Sequence, residues 1–519
     1  MVGCYGKKMK STLTVFFSTL VLTTGCAVTP QPFSPDELRA QSADRAERYI
    51  ANQEVVDKPI SLYDAMARAI KYNLDYKVEL MERSLRVSEL DLTRFDKLPD
   101  LVASAGYNSR NNFSGSRSSA LLSSTTIGGQ SLVPSTSSER DVFDADLTLS
   151  WDVLDFGLSY VRAEQKADEV LIAEERKRKV INRIIEDVRT AYWRAVSAER
   201  LITQLSVLES DIKKALADSD KIYQRRKTPP LAALTYQREL LKIQQEIQNL
   251  QQDLMVAKRQ LAALMNIDPG SDYALVLPDR SEAVVDIRAN PEQMIKTALD
   301  NRSELREISY QQRINEKEAT AELLKLLPGL RLFGGFNYNS NDFLFSNDWR
   351  SIAAQTSWNL LDVFSYSAKK RRGEATKQLL DQRALATTMA VMTQVHVSLS
   401  RFEIAKRRLA TTRQYHTVQS EILTQTVASH QSRRSSKQNL IRERMNEIVS
   451  EVRYDLALAD LQNAFANIYA SMGLDPFGAT ARSDDSVSEL SKHLKQHWST
   501  RTSRVGVSKT PTNKVVSAN

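Results

Sequence analysis

The chain is poor in cysteine, in histidine and in the two residues that break helices. Its 519 residues hold two cysteines, Cys4 and Cys26, both near the N-terminus. No disulfide framework and no cysteine-based metal site is therefore available to the rest of the chain. Five histidines (His396, His416, His430, His493 and His497) occur without the spacing of zinc ligands. With 16 glycines and 14 prolines, long stretches run without punctuation, which favours helix. From Leu158 to Pro269 there is no glycine and only Pro229-Pro230 interrupts; from Glu374 to Met472 there is neither residue. A phosphate-binding glycine loop and a nucleophile constellation are also missing, so the sequence predicts no enzyme, no cofactor and no metal site. The formal net charge of +8 is too diffuse for a nucleic-acid footprint, and no nucleic-acid partner is expected.

What is present begins with an N-terminal leader. Lys7, Lys8 and Lys10 precede the run STLTVFFSTLVLTTG, which is too short and too rich in Ser and Thr for a comfortable membrane span and reads as a secretion signal. Met9 is an alternative start. Leu22-Thr23-Thr24-Gly25-Cys26 resembles a bacterial lipobox, with Leu22 one place early. Two readings stay open for residues 1–26: lipidation of Cys26, or an ordinary signal peptide cleaved nearby. Under the lipoprotein reading, Ala27 in place of Asp suits outer-membrane sorting.

The body of the chain repeats itself. Ser150-Trp151-Asp152-Val153-Leu154-Asp155 returns as Ser357-Trp358-Asn359-Leu360-Leu361-Asp362, 207 residues later. At the same offset, Ala263–Pro269 returns as Ala470–Pro476. At an offset of 229, Leu98-Pro99-Asp100-Leu101 matches Leu327-Pro328-Gly329-Leu330, and Gly106-Tyr107-Asn108 matches Gly335-Phe336-Asn337. The two offsets differ because the first copy carries a Ser-, Thr- and Gly-rich insert at 111–140, which reads as an exposed loop. The boundaries that follow are a segment at 27–57, a first repeat at 58–270, a linker at 271–287, a second repeat at 288–477 and a polar tail at 478–519. In the tail, Ser486–Trp498 suits a short helix, and the remainder has the composition of disorder.

Each repeat reads as helix, strand, loop, strand and a very long helical segment. In the first, Val188, Ala191, Ala195, Ala198, Ile202, Leu205, Leu208 and Ile212 step by three and four, a coiled-coil-like seam. The strands alternate. Phe143, Ala145, Leu147, Leu149 and Trp151 interleave with Asp144, Asp146, Thr148, Ser150 and Asp152. Ile352, Ala354, Thr356, Trp358 and Leu360 form the matching row of the second copy. Such rows suit transmembrane barrel strands, with half-buried strands of a soluble sheet as the competing reading. Four strands cannot close a barrel, and open edges are not tolerated in lipid. Three chains would supply twelve.

In the order and duplication of these features the chain resembles the TolC family of outer-membrane efflux and type I secretion channels. The resemblance covers 58–477 and is carried by Leu98–Leu101, Leu327–Leu330 and the repeated Ser-Trp corner. It implies a mainly α-helical fold with a membrane β part: a homotrimeric 12-stranded β-barrel joined to a periplasmic α-helical coiled-coil barrel. It further implies a bacterial outer-membrane location in contact with lipid, and partnership with a periplasmic adaptor (membrane fusion) protein and an inner-membrane pump of RND or ABC type. Trp151 and Trp358 would be membrane-interface aromatics, with Asp155 and Asp362 at the helix starts.

The resemblance also implies a periplasmic tip where each long helix reverses, at Tyr223–Gln237 and Ser429–Arg444. Arg433 stands in the place of the family's turn glycine, and Asn439 and Arg442 stand where its aspartates stand. In the first copy Thr228-Pro229-Pro230 makes the turn. Arg225, Arg226 and Lys227, with Arg433, Arg434, Lys437, Arg442 and Arg444, make the tip basic. Either this ring disfavours cations and suits anionic cargo or an acidic adaptor hairpin, or it is a solvated turn. A different class, a lipid-tethered periplasmic coiled-coil scaffold or adaptor, fits less well, because adaptors usually carry one helical hairpin and this chain carries two.

Overall fold

The computed structural model describes residues 31–116, 135–224, 230–278, 290–474 and 485–504. The chain divides into two units, residues 1–54 and 55–519. The first contains α1 (Pro35–Arg48), which starts on a capping box. The Ser34 hydroxyl accepts from the Glu37 backbone N–H, and the Glu37 carboxylate accepts from that of Ser34. None of its residues is buried. Cys26 and the rest of the leader lie outside the described residues.

In the second unit the duplication holds element by element. Helices α2 (Leu62–Tyr72) and α3 (Leu74–Phe95) lead into strand β1 (Asp100–Ser109). Inside the insert, β2 (Gly115–Ser116) pairs with β3 (Ser135–Thr136), so the expected loop is at its base a small hairpin. Strand β4 (Asp141–Asp152) runs straight into α4 (Val153–Gln224), followed by α5 (Pro230–Leu264). The second repeat supplies α6 (Pro291–Asn301), α7 (Ser303–Leu324), β5 (Gly329–Asn339), β6 (Asp348–Ser357), α8 (Asp362–Gln431) and α9 (Lys437–Ser471). Its α6 and α7 repeat α2 and α3 at 229 residues, and α9 repeats α5 at 207. Helices α4 and α8, 72 and 70 residues long, each extend about 105 Å at 1.5 Å per residue.

The helix ends show why these residues form these elements. Ser61 caps α2, Asn73 caps α3 and Asn290 caps α6, each side chain accepting a first-turn N–H. Pro230 opens α5 at the position where a missing N–H costs nothing. Helices α5 and α9 both end on a left-handed residue, Asn266 at φ 54° and Gly473 at φ 67°. In each case the next residue donates back to the carbonyl five earlier, Ile267 to Ala262 and Leu474 to Tyr469. At Gly473 a Cβ would stand 2.7 Å from the Asn301 carbonyl, so only glycine lets α9 end against the α6–α7 corner.

Packing follows the seams, with one correction. The α4 face at Ala198, Leu205, Leu208 and Ile212 is buried as expected, but Leu201 is the buried member and Ile202 is exposed. The stripe therefore runs 198, 201, 205, 208, 212, a regular three-four alternation. It meets Leu240, Ile247 and Leu254 of α5 and Ile441, Met445 and Ile448 of α9. Higher along α4, ion pairs link it to its neighbours. Arg83 and Arg86 of α3 reach Glu174 and Glu169 at 2.6 and 3.6 Å, and Arg313 of α7 holds the buried Asp168.

The short helix expected at Ser486–Trp498 is present and runs on to Arg504. Residues 487–504 form α10 (Val487–Arg504), opened by a Ser486–Glu489 capping box. Leu490 and Leu494 join the core of α2. Trp498 packs edge-on to Phe465, with the Arg189 guanidinium 4.4 Å over its ring. Val487, Leu490, Leu494 and Trp498 share one helical face, so this part of the tail is an anchored helix.

Candidate functional site

The sheet is antiparallel in the order β1-β4-β5-β6. The register aligns the alternating rows on common faces. Leu101, Ala103, Ala105 and Tyr107 stand opposite Leu149, Leu147, Ala145 and Phe143. Leu147, Leu149 and Trp151 in turn stand opposite Phe336, Gly334 and Leu332, and Gly334 and Leu332 opposite Ile352 and Ala354. One face is therefore apolar and exposed, with Ile352 94% accessible. Arg350 and Asp348, near the β5–β6 turn, and Asp141, at the start of β4, are its charged members. The other face carries Asp144, Asp146, Thr148, Ser150 and Asp152 with Arg331 and Asn337. Gly106 lies on this face, and the Asp144 carboxylate occupies the space a Cβ there would need. Both outer strands, β1 and β6, have an unpaired edge.

The corners below the strands correct one expectation. Trp151 ends the β4 row, 40% exposed. Trp358 and Leu360 lie beyond the last residue of β6, and the Trp358 indole N–H donates to the Leu326 carbonyl at 3.0 Å. The expected helix-start acids, Asp155 and Asp362, sit in the first turns, and in the first copy the third motif position adds a side-chain cap. Asp152 Oδ1 accepts from the N–H groups of Leu154 and Asp155 at 3.0 and 3.2 Å. Asn359 Oδ1 accepts from Leu361 N–H at 3.2 Å.

At the opposite end of α8, the turn into α9 is described in full. Arg433 has φ 57°. Its N–H donates to the His430 carbonyl and that of Arg434 to the Ser429 carbonyl, the bonding of a glycine-terminated helix. The position counted from sequence as the glycine place is thus left-handed in fact. His430 Nδ1 lies 2.9 Å from the Ser435 carbonyl, so that nitrogen carries the proton. Ser436 caps α9 by accepting from Asn439 N–H, and Lys437 is the first residue of that helix. Arg442 donates to the Asn439 side chain at 3.2 Å and to Glu443 at 3.3 Å. Arg444 pairs with Asp211 of α4 at 3.0 Å. Arg433 and Arg434 are exposed. Of the basic and proline residues expected at the first-repeat tip, Pro230 is described, and Arg225, Arg226, Lys227 and Pro229 lie outside the described residues.

Sequence inspection missed the faces that the fold leaves open. Helices neighbour one another in the order α3-α4-α7-α8 next to the sheet and α5-α4-α9-α8 towards the turns. The end members carry exposed apolar residues in three-four steps. On α3 these are Val78, Met81, Leu85, Leu92 and Phe95. On α5 they are Leu231, Leu234, Leu241 and Met255, and on α8 Phe364, Leu385, Met389, Ile404, Tyr415, Val418 and Ile422. A single-sided periodicity on a helix with no neighbour on that side is a coiled-coil seam without its partner. The signal was in the sequence, but only the fold tells which seams are already occupied.

A paired set of long helices with a duplicated, one-sided strand pair defines the fold class. Residues 66–266 match the sequence model of the outer membrane efflux protein family. The fold is similar to that of CusC, with TM-score 0.60 and 16% identity over 82% of this chain and 96% of that one. It is similar to the CmeC outer membrane channel of Campylobacter jejuni, at 0.62 and 13% over 91% and 98%. For the MtrE outer membrane channel of Neisseria gonorrhoeae in its open state, the values are 0.59 and 14% over 87% and 99%. No curated protein matches the chain by sequence.

Proposed function

We propose that three copies of this chain close a 12-stranded barrel in the bacterial outer membrane and continue into a periplasmic helical tunnel. In this reading the tunnel receives substrate from an inner-membrane pump of RND or ABC type through a periplasmic adaptor, in efflux or type I secretion. One observation carries it: the strand edges β1 and β6 and the exposed seams of α3, α5 and α8 all lie at the two ends of the same element order. Unpaired edges are not viable in lipid, and copies of the chain satisfy edges and seams together. The exposed apolar sheet face then meets lipid, Trp151 and Trp358 lie at its interface, and the aspartate face lines the pore. Cys26 is the mature N-terminus and carries lipid, a modification read directly from the mass of the N-terminal peptide.

The turn of Arg433, Arg434, Lys437, Asn439 and Arg442 is the periplasmic entrance, joined by Arg225, Arg226 and Lys227 beside Pro229 and Pro230. Threefold repetition concentrates positive charge there and favours anionic cargo or an acidic adaptor hairpin. The test is to extract the protein from outer-membrane fractions after high-salt and carbonate washing, size it, and record single channels in planar bilayers. A trimer whose anion preference falls in Arg442→Asp is the expected result. Release as a soluble monomer would replace the channel by a tethered scaffold, and unchanged ion selectivity in Arg442→Asp would remove the charged entrance.

A further inference from the structure

The duplication creates a second pair of equivalent features, away from both the sheet and the turns. Where α3 begins and α5 ends against α4, there is a cavity of about 610 Å³. Where α7 begins and α9 ends against α8, its counterpart measures about 500 Å³. The walls from the repeated helices correspond at the two repeat offsets, the second cavity gains Lys179, Asn182 and Arg183 from α4, and Glu186 borders both. The first cavity carries Glu186 and Asp187; the same positions in the second are Thr393 and Gln394. Asn73 of the first is Arg302 in the second, while Arg194 and Arg401 correspond.

The second cavity is consequently lined by Lys179, Arg183, Arg302 and Arg401 against Glu186 and Glu304. The acids neutralise it only in part: Arg183 lies 3.8 Å from Asp75, and Lys179 acts on Glu304 through space. Glu304 is held by both Arg302 nitrogens at 2.9 and 3.0 Å, which overcomes the effect of its burial and keeps it below the ordinary carboxylate value. Lys179 and Arg401 have no hydrogen-bond or ion-pair partner among the described residues. The remaining wall contributes Gln394 together with Thr393 and Asn467, whose side chains already donate to the Met389 carbonyl and to Glu186. Like charges gathered around one space repel unless an anion enters it. Guanidinium forks fit oxyanions in bidentate fashion, and the volume exceeds that of a single water, roughly 30 Å³.

We propose that this second-repeat cavity binds a small, multiply charged oxyanion of the phosphate class. The ligand ties α4 and α8 to the start of α7 and the end of α9, the level at which both long helices change neighbours. The site belongs to the single chain and does not depend on what the channel transports.

The full-length, detergent-solubilised protein is titrated with inorganic pyrophosphate by calorimetry, against sodium chloride of equal ionic strength. Expected is saturable binding at one site per chain, weakened at least tenfold in Lys179→Gln/Arg401→Gln and retained in Arg194→Gln. Thr393→Glu/Gln394→Asp transplants the acids of the first cavity while leaving every cation in place, and should abolish binding. A short-chain phosphatidic acid added in parallel separates sources: tighter binding than pyrophosphate assigns a lipid headgroup, and equal or weaker binding a free phosphate compound. No saturable heat, or an affinity unchanged in both double variants, would overturn the proposal.

Discussion

Asp152 joins a strand to a helix without a loop between them. Its carboxylate accepts two first-turn N–H groups and lies 3.6 Å from Arg331 on the neighbouring strand. Asn359 of the second copy accepts only from Leu361, the residue just before α8 begins. Asp152→Ala should therefore cost about 1 kcal/mol, as loss of an N-cap does, and Asn359→Ala somewhat less. Asp152→Asn keeps the acceptor and loses only a half-exposed ion pair, a small term. Asp155 contributes through the helix dipole alone, about 0.5 kcal/mol. Thermal-unfolding midpoints of the solubilised protein order the variants, and a larger drop for Asp155→Ala than for Asp152→Ala would refute this assignment. Sequence inspection pointed to Asp155 and Asp362 because an acid in the first turn is favourable wherever the helix starts. Which of two acids caps depends on the last strand residue, and alternation does not mark that boundary.

Among the elements, the turn between α8 and α9 is the one most open to pH. Burial pushes the Glu443 carboxyl up, but hydrogen bonds from Gln419 and Asn446 and the Arg442 guanidinium prevail, and it titrates below its ordinary 4.5. Gln419 Nε2 donates to it from α8 at 2.9 Å, so the charged carboxylate joins the two helices just above the turn. A carboxylate depressed on folding stabilises the fold above its unfolded value, and that contribution disappears as pH falls through the folded value. Glu443→Gln should lower the unfolding midpoint at neutral pH by an amount on the order of 1 kcal/mol. The gap from the native protein should close as pH is taken below 4.5; a gap independent of pH would rule the charge out. Most elements were legible from the two repeat offsets. An ungapped count placed α9 and the left-handed Arg433 correctly, since α5 and α9 have equal length at 35 residues each. Less legible were Leu201 against Ile202, adjacent and equally apolar, and the packing of α10 onto the core, although the helix itself was expected. The opposed cavities were illegible because they exist only where the end of one helix meets the start of another.

For the molecule as a whole, the exposed seams decide between a chain that is complete and one that needs copies of itself. Phe364 on α8 is 79% exposed and Leu85 on α3 is 55% exposed, and neither contributes to a core within the chain. Their replacement by glutamate should leave the fold of the single chain intact, because surface substitutions away from buried contacts change stability by about 0.5 kcal/mol or less. In a closed ring the same positions become buried between copies, and an unpaired charge there costs several kcal/mol at each of three interfaces. Leu85→Glu and Phe364→Glu should therefore lose the trimer in mild detergent while keeping native helix content by circular dichroism. Light scattering coupled to size exclusion reads the mass, and Ile202→Glu tests another exposed apolar position on α4, which has neighbours on both sides. Full trimer in Leu85→Glu and Phe364→Glu would mean that ring closure does not use these seams. The strand edges alone would then have to hold the copies together.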